Sequence, residues 1–169
     1  MVLGMSLETY TLVHVVVSLV AIATGLIVFF GMLQAKRLDG LTAIFLTTTV
    51  LTNVSGFGFP FAHVTPGIII GILSLVVLAI AIVARYARHL AGAWRWIYVV
   101  TAGVALYFNC FVLVVQSFEK VPALKALAPT QKEPPFAIAQ LALLVIFAVL
   151  ITLAVKRFHT EQAAKAHAA

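Results

Sequence analysis

Five long apolar stretches, separated by mostly short polar connections, dominate the pattern of the chain. They cover residues 11–33, 41–61, 67–86, 94–118 and 136–157. A helix needs about 20 mostly apolar residues to cross the hydrocarbon core of a membrane, and each stretch reaches that length. The pattern therefore predicts one all-α domain, residues 1–169, built as a bundle of five transmembrane helices. A longer connection lies at 119–135 and a tail at 158–169.

Basic residues follow alternate stretches, and this alternation predicts the orientation of the bundle. Three clusters fall on one side: Lys36 and Arg37; Arg85, Arg88 and Arg95; Lys156, Arg157 and Lys165. The other side has only Lys120, Lys125 and Lys132, which are offset by Glu8, Glu119 and Glu133. Lys and Arg concentrate in cytoplasmic loops of membrane proteins. We therefore expect the N-terminus and the 119–135 loop outside, and the tail in the cytoplasm.

The composition favours a membrane protein over a soluble one. The chain is 63% hydrophobic and 9% charged, with a mean hydropathy of +1.14, whereas soluble domains are about 45–50% apolar and about 25% charged. The net charge of +6 follows from basic cytoplasmic loops, so no nucleic acid is expected as a partner. The expected partners are the lipid bilayer and either another membrane protein or a second copy of the chain. The first ten residues contain no Lys or Arg, which argues against a cleaved signal peptide.

The second stretch is unusually polar for a transmembrane helix. It carries a run of hydroxyl and amide side chains: Thr47, Thr48, Thr49, Thr52, Asn53 and Ser55. Lipid cannot satisfy an amide, so we expect this helix to be the most buried of the five, with Asn53 bonded to Asn109. The run Gly-Phe-Gly-Phe-Pro at 56–60 is expected to loosen and end the helix. His63 would then lie in a tight outer turn.

Other stretches carry matching small and polar stripes at helical spacing. These stripes are His14, Ser18, Ala21 and Gly25; Gly67, Gly71 and Ser74; and Ala102, Ala105, Asn109 and Gln116. Most of the strongly polar side chains fall in the outer half of the bundle. They form the candidate ligand-binding set: His14, Asn53, Ser55, His63, Asn109, Gln116 and Gln140. The alternative interpretation is that these groups are hydrogen-bonding contacts between helices.

No catalytic residue can be assigned, because the sequence has neither a nucleophile motif nor a cluster of carboxylates. A non-catalytic module that binds a partner or small ligand through its outer half is therefore the expected function. One alternative is a redox-associated subunit, with haem b held by His14 and His63, or with a quinone beside Asn109 and its aromatic neighbours Tyr107, Phe108 and Phe111. Another is a neutral-solute pore or transporter. No Asp, Glu or Lys lies in the middle of a stretch, which argues against a cation-coupled carrier.

Two segments carry a resemblance to a known group of proteins. They are KVPALKALAPTQKEPPFAIAQ at 120–140 and LAGAWRWIYVV at 90–100. They resemble a family of small, uncharacterised bacterial inner-membrane proteins, and the resemblance covers most of the chain. It implies a multi-pass protein of the bacterial cytoplasmic membrane, but it implies no activity and no functional residue. The prolines of the 119–135 loop predict a stiff, partly extended connection.

Overall fold

The computed structural model describes residues 2, 4–60 and 65–158, and in this part of the chain the named secondary-structure elements are all helices. The helices are α1 (Leu7–Leu33), α2 (Asp39–Gly56), α3 (Pro66–Ile82, continued by a π-helical turn at Val83–Ala87), α4 (Trp94–Lys120), α5 (Pro122–Leu127) and α6 (Pro134–Arg157). Among the described residues the only extended pairing is an isolated bridge between Val2 and Met5. The prediction of an all-α chain is confirmed.

Four of these helices are long and apolar enough to cross a membrane: α1, α3 with its π turn, α4 and α6. They suggest a multi-pass membrane protein. The 18 residues of α2 are more polar, and this helix does not belong to the apolar set.

Local sequence signals explain where several helices begin. The Ser6 hydroxyl accepts the backbone N–H of Thr9 at the start of α1, and the Thr65 hydroxyl accepts that of Ile68 at the start of α3. Such hydroxyls satisfy N–H groups that have no partner inside the helix. Proline occupies the first turn of α3, α5 and α6, where its missing N–H costs nothing.

The helices pack antiparallel to their neighbours in sequence, so the bundle has two distinct ends. The basic end is where α1, α3 and α6 finish and where α2 and α4 start. There Arg85 pairs with Asp39, and Arg95 donates to the Val155 carbonyl at 3.0 Å and to the Phe158 carbonyl. The opposite end, called the far end, holds the starts of α1, α3 and α6. The alternating charges seen in the sequence therefore gather at one end of the molecule.

The expectation that α2 is the most buried helix is wrong, because α4 occupies the centre of the bundle. Nine residues of α4 are buried, against four of α2. Some threonines of α2 need no partner on another helix, because their hydroxyls bond to carbonyls of the same helix. Thr48, for example, donates to the Ile44 carbonyl at 2.7 Å. The number of polar side chains in α2 therefore did not predict how deeply this helix is buried.

The closest helix contacts are built on two glycines. A Cβ atom placed on Gly25 of α1 would come within 2.6 Å of Leu106 and 2.8 Å of Phe45. One placed on Gly103 of α4 would come within 2.6 Å of Ile151 and 2.7 Å of Phe29. The stripe predicted on α1 packs as expected at Ala21 and Gly25, which are both buried. Gly103 was not singled out in the sequence.

Three predicted segments differ in detail from the structure. The second stretch was expected to run to residue 61, but α2 ends at Gly56. The 119–135 loop was expected to be stiff and partly extended, and it also contains the short helix α5. The tail was expected to begin at 158, yet Phe158 is buried and packs near Tyr98, with ring centroids 6.4 Å apart. Residues 159–169 lie outside the described part of the chain.

The turn that precedes α6 is organised by Glu133. Slight desolvation raises the pKa of its carboxyl, but hydrogen bonds from the Thr130 hydroxyl and from the backbone of Glu133, Thr130 and Lys132 lower the pKa by more, so it lies below its ordinary value. The group is therefore an anion at the N-terminus of α6, where the helix dipole favours negative charge.

Candidate functional site

Ser55 joins the last turn of α2 to the first turns of α1. Its backbone carbonyl accepts the Tyr10 hydroxyl at 2.6 Å and the Gly58 N–H at 3.0 Å. Its hydroxyl oxygen lies 2.8 Å from Nδ1 of His14. The Gly58 bond spans three residues rather than four, and this tightening ends the helix before Pro60 is reached.

The contact with Ser55 uses one ring nitrogen of His14 and leaves the other without a partner among the described residues. Nδ1 of His14 lies 2.8 Å from the Ser55 hydroxyl oxygen, which also lies 3.2 Å from the Thr52 carbonyl. When Ser55 donates to Thr52, Nδ1 carries the hydrogen and Nε2 is an acceptor; when Ser55 donates to Nδ1, Nε2 carries the hydrogen and is a donor. The half-buried His14 ring thus presents one polar atom that Ser55 does not use.

The Phe59 ring packs against the rings of His14 and Tyr10. Its ring meets that of His14 edge-on, with centroids 5.2 Å apart and planes at 90°, and that of Tyr10 at 5.1 Å and 70°. We call Tyr10, His14, Ser55 and Phe59 the α1–α2 site. It combines apolar ring surface with one imidazole nitrogen that Ser55 does not use, a combination typical of small-molecule sites.

Asn53 and Asn109 belong to a different network, centred on Thr49. The Asn53 amide donates to the Thr49 carbonyl at 2.8 Å and to the Ser74 hydroxyl of α3 at 3.0 Å. The Asn109 amide donates to the Thr49 hydroxyl at 3.3 Å. The expected direct bond between the two amides is therefore wrong, because Asn53 lies one turn beyond Thr49 and bonds toward α3. These groups connect helices α2, α3 and α4.

The remaining candidate residues are scattered. Gln140 donates from Nε2 to the Phe111 carbonyl at 3.2 Å, while its Oε1 is buried with no partner in the described chain. Gln116 is exposed and does not share the packed face of Asn109. His63 lies outside the described residues, so its distance from His14 stays untested. Within the described residues, no three His, Cys, Asp or Glu side chains gather as a metal site would require.

The aromatic residues beside Asn109 pack against one another. The Tyr107 ring lies 5.8 Å from Phe108, 6.1 Å from Phe111 and 5.7 Å from Phe147. The small cavity of about 10 Å³ between α1, α4 and α6 is lined by apolar residues and not by Asn109. The arrangement at Asn109 resembles helix packing more than a quinone site.

A polar group at the basic end was missed by sequence reasoning. Arg85, which the charge count treated as a loop cation, is only 4% exposed. It pairs with Asp39, and its guanidinium carbon lies 5.1 Å from the centre of the Tyr98 ring. The available signal was Asp39 itself, since it is the one acidic residue between Glu8 and Glu119.

No family model, curated protein or solved structure matches the chain. Two polar groups of the described chain are the candidates for a functional role. One is the α1–α2 site at the far end. The other is the arginine–aspartate group at the basic end.

Proposed function

We propose that the protein is a five-span protein of the bacterial inner membrane, with its N-terminus outside and its C-terminus in the cytoplasm. The length of α2 and its contacts at both ends of the bundle support it as the fifth span. It extends from the Asp39–Arg85 contact at the basic end to the Tyr10–Ser55 contact at the far end. Its 18 residues measure about 27 Å at 1.5 Å per residue, close to the hydrocarbon thickness of about 30 Å.

The function that this geometry favours is non-catalytic binding of a small ligand at the α1–α2 site. The observation that carries the proposal is Nε2 of His14, which has no partner among the described residues, on a side chain held by Ser55 and packed against Phe59. A matching ligand has an apolar body and one hydroxyl group, which can donate to Nε2 or accept from it. The Thr49 network is better explained as contact between helices, because its amide donors are already used.

The same geometry favours haem b as the second candidate. A histidine that ligates iron commonly donates its other ring N–H to a neighbouring acceptor, and the Ser55 hydroxyl oxygen lies 2.8 Å from Nδ1 of His14, where it could accept such a bond. His63 would be the second axial ligand. The redox alternative thus predicts that His14 and His63 both bind the haem iron.

The test is to purify the protein in a mild detergent and to look for a co-purifying molecule. Mass spectrometry of the organic extract is combined with an absorption spectrum. We expect the amount of bound molecule to fall in His14→Ala and in Ser55→Ala. It should stay unchanged in His89→Ala, a control histidine at the basic end.

The spectrum separates the two candidates. A Soret band that is lost in both His14→Ala and His63→Ala would identify haem b. A colourless protein with an extracted molecule that depends on His14 would identify the small-ligand site. A wild-type preparation that contains neither would contradict both.

A further inference from the structure

A π-helical turn brings Arg85 into the basic end of the bundle. In this turn the backbone N–H of Arg88 bonds to the Val83 carbonyl at 2.9 Å, and that of Leu90 to the Ala84 carbonyl at 3.0 Å. These bonds span five and six residues instead of the four of an α-helix, and they close the C-terminal end of α3. The turn lets Arg85 meet Asp39, the first residue of α2.

Two guanidinium groups share this one carboxylate. Arg85 pairs with Oδ1 of Asp39, and Nη2 of Arg37 lies 3.4 Å from the same oxygen. One carboxylate neutralises one cation, so the group carries a surplus positive charge. The Arg37 side chain is 41% exposed and that of Arg85 is 3% exposed, so Arg37 is the cation accessible from outside.

An apolar groove begins beside this charged group. It has a volume of about 220 Å³ and is lined by Ala43, Leu46, Thr47, Val50 and Leu51 of α2 and by Ile82 and Tyr86 of α3 and its π turn, so its lining is apolar except for the hydroxyls of Thr47 and Tyr86. The Tyr86 ring also lies 5.9 Å from the Arg85 guanidinium carbon. The groove therefore reaches Arg85 through Tyr86, and Arg85 is joined to Arg37 through Asp39.

The dimensions of the groove fit one membrane leaflet. From Ala43 to Leu51 it follows α2 for about 12 Å at 1.5 Å per residue, and half of the hydrocarbon core measures about 15 Å. Its polar end lies at the level of Asp39, where lipid headgroups would meet the basic end of the bundle. Basic residues at this level attract anionic lipids.

From this combination we propose that the groove between α2 and α3 binds one anionic phospholipid. The phosphate lies beside Arg37 and the Arg85–Asp39 pair, and an acyl chain lies in the groove. Arg37 is the specificity-determining residue, because it is exposed and holds Asp39 only at 3.4 Å. This site is independent of the α1–α2 site at the far end.

The test is native mass spectrometry of the full chain in detergent with added phosphatidylglycerol or phosphatidylethanolamine. We expect phosphatidylglycerol to be retained preferentially. Arg37→Gln should weaken that retention about fivefold, the effect of one basic residue near an anionic headgroup. The control Arg88→Gln removes the same charge from the same end, at an exposed residue whose guanidinium stacks 5.2 Å from the Trp94 ring, and should leave retention unchanged.

A second pair of variants tests the groove without changing charge. Ala43→Phe fills the groove from an exposed position, so the bundle core is not disturbed. Ile44→Phe is its control, because Ile44 is 45% exposed and does not line the groove. Loss of phosphatidylglycerol in Ala43→Phe alone supports the proposal. Equal retention of the two lipids, equal losses in the controls, or a dimer that only Ala43→Phe abolishes would overturn it.

Discussion

Thr49 forms hydrogen bonds within α2 and to α4, and its neighbour Asn53 extends this network to α3. Its hydroxyl donates to the Phe45 carbonyl at 2.7 Å and accepts the Asn109 amide at 3.3 Å. Its carbonyl accepts the Asn53 amide at 2.8 Å. A fully buried hydroxyl can serve both α2 and α4 because an oxygen donates once and still has lone pairs to accept with.

This network predicts that Thr49 and Asn109 are energetically coupled. Thr49→Val and Asn109→Ala should each destabilise the protein, and the double variant should cost less than the sum of the two. The coupling should be about 0.6 kcal/mol, the average for hydrogen bonds between transmembrane helices. Thermal or denaturant unfolding in detergent measures it.

Asn53→Ala combined with Asn109→Ala is the matched comparison. The two amides bond different atoms of Thr49, so their losses should be nearly additive. A coupling between Asn53 and Asn109 as large as that between Thr49 and Asn109 would contradict the network.

At the scale of the helices, packing depends on the small residues of α1 and α4. Gly103 lets Ile151 of α6 and Phe29 of α1 approach the α4 backbone. Gly103→Ala should therefore destabilise the protein by about 1–3 kcal/mol, as overpacking does. Gly40→Ala is the control, because a Cβ atom there meets nothing within 4 Å and alanine favours helix. Equal stability of the two variants would contradict the close packing at Gly103.

The helix pattern was readable from the sequence, but the partners of individual side chains were not. Each of the five predicted stretches contains a long helix, and four of them are apolar enough to cross a membrane, since a membrane helix needs a run of about 20 apolar residues. The α1 stripe at Ala21 and Gly25 was also predicted. The hydrogen-bond partners of Asn53 were not predicted. A helical stripe shows which face of the helix an amide lies on, but it does not show which residue of the neighbouring helix lies at the same position along the helix axis.

The contacts of Arg85 and Arg95 could not be predicted from the sequence. Arg85 and Arg95 are indistinguishable from loop cations when charges are counted. In the structure Arg85 is turned inward by a π turn, and Arg95 binds carbonyls at the end of α6. Both contacts depend on local backbone geometry and on chain ends that meet only in the folded bundle. At the α1–α2 site, His14 and Ser55 were both predicted, but Tyr10 was not.

At the scale of the whole molecule, the central claim is that α2 crosses the membrane with the four apolar helices. Its polar side chains argue against this claim when they are considered alone. Its contacts at both ends of the bundle support it. The claim also determines which loops share a side of the membrane, so it can be tested without any knowledge of the ligand.

The most direct measurement is the accessibility of single cysteines on either side of α2. The buried Cys110 is first replaced by alanine, and cysteine is then introduced at Lys36, Pro60, Arg88 or Thr130. Intact spheroplasts are treated with a membrane-impermeant maleimide before and after permeabilisation. We predict labelling of Pro60→Cys and Thr130→Cys in intact spheroplasts, and of Lys36→Cys and Arg88→Cys only after permeabilisation. Labelling of Lys36→Cys and Pro60→Cys from the same side would show that α2 does not cross the membrane.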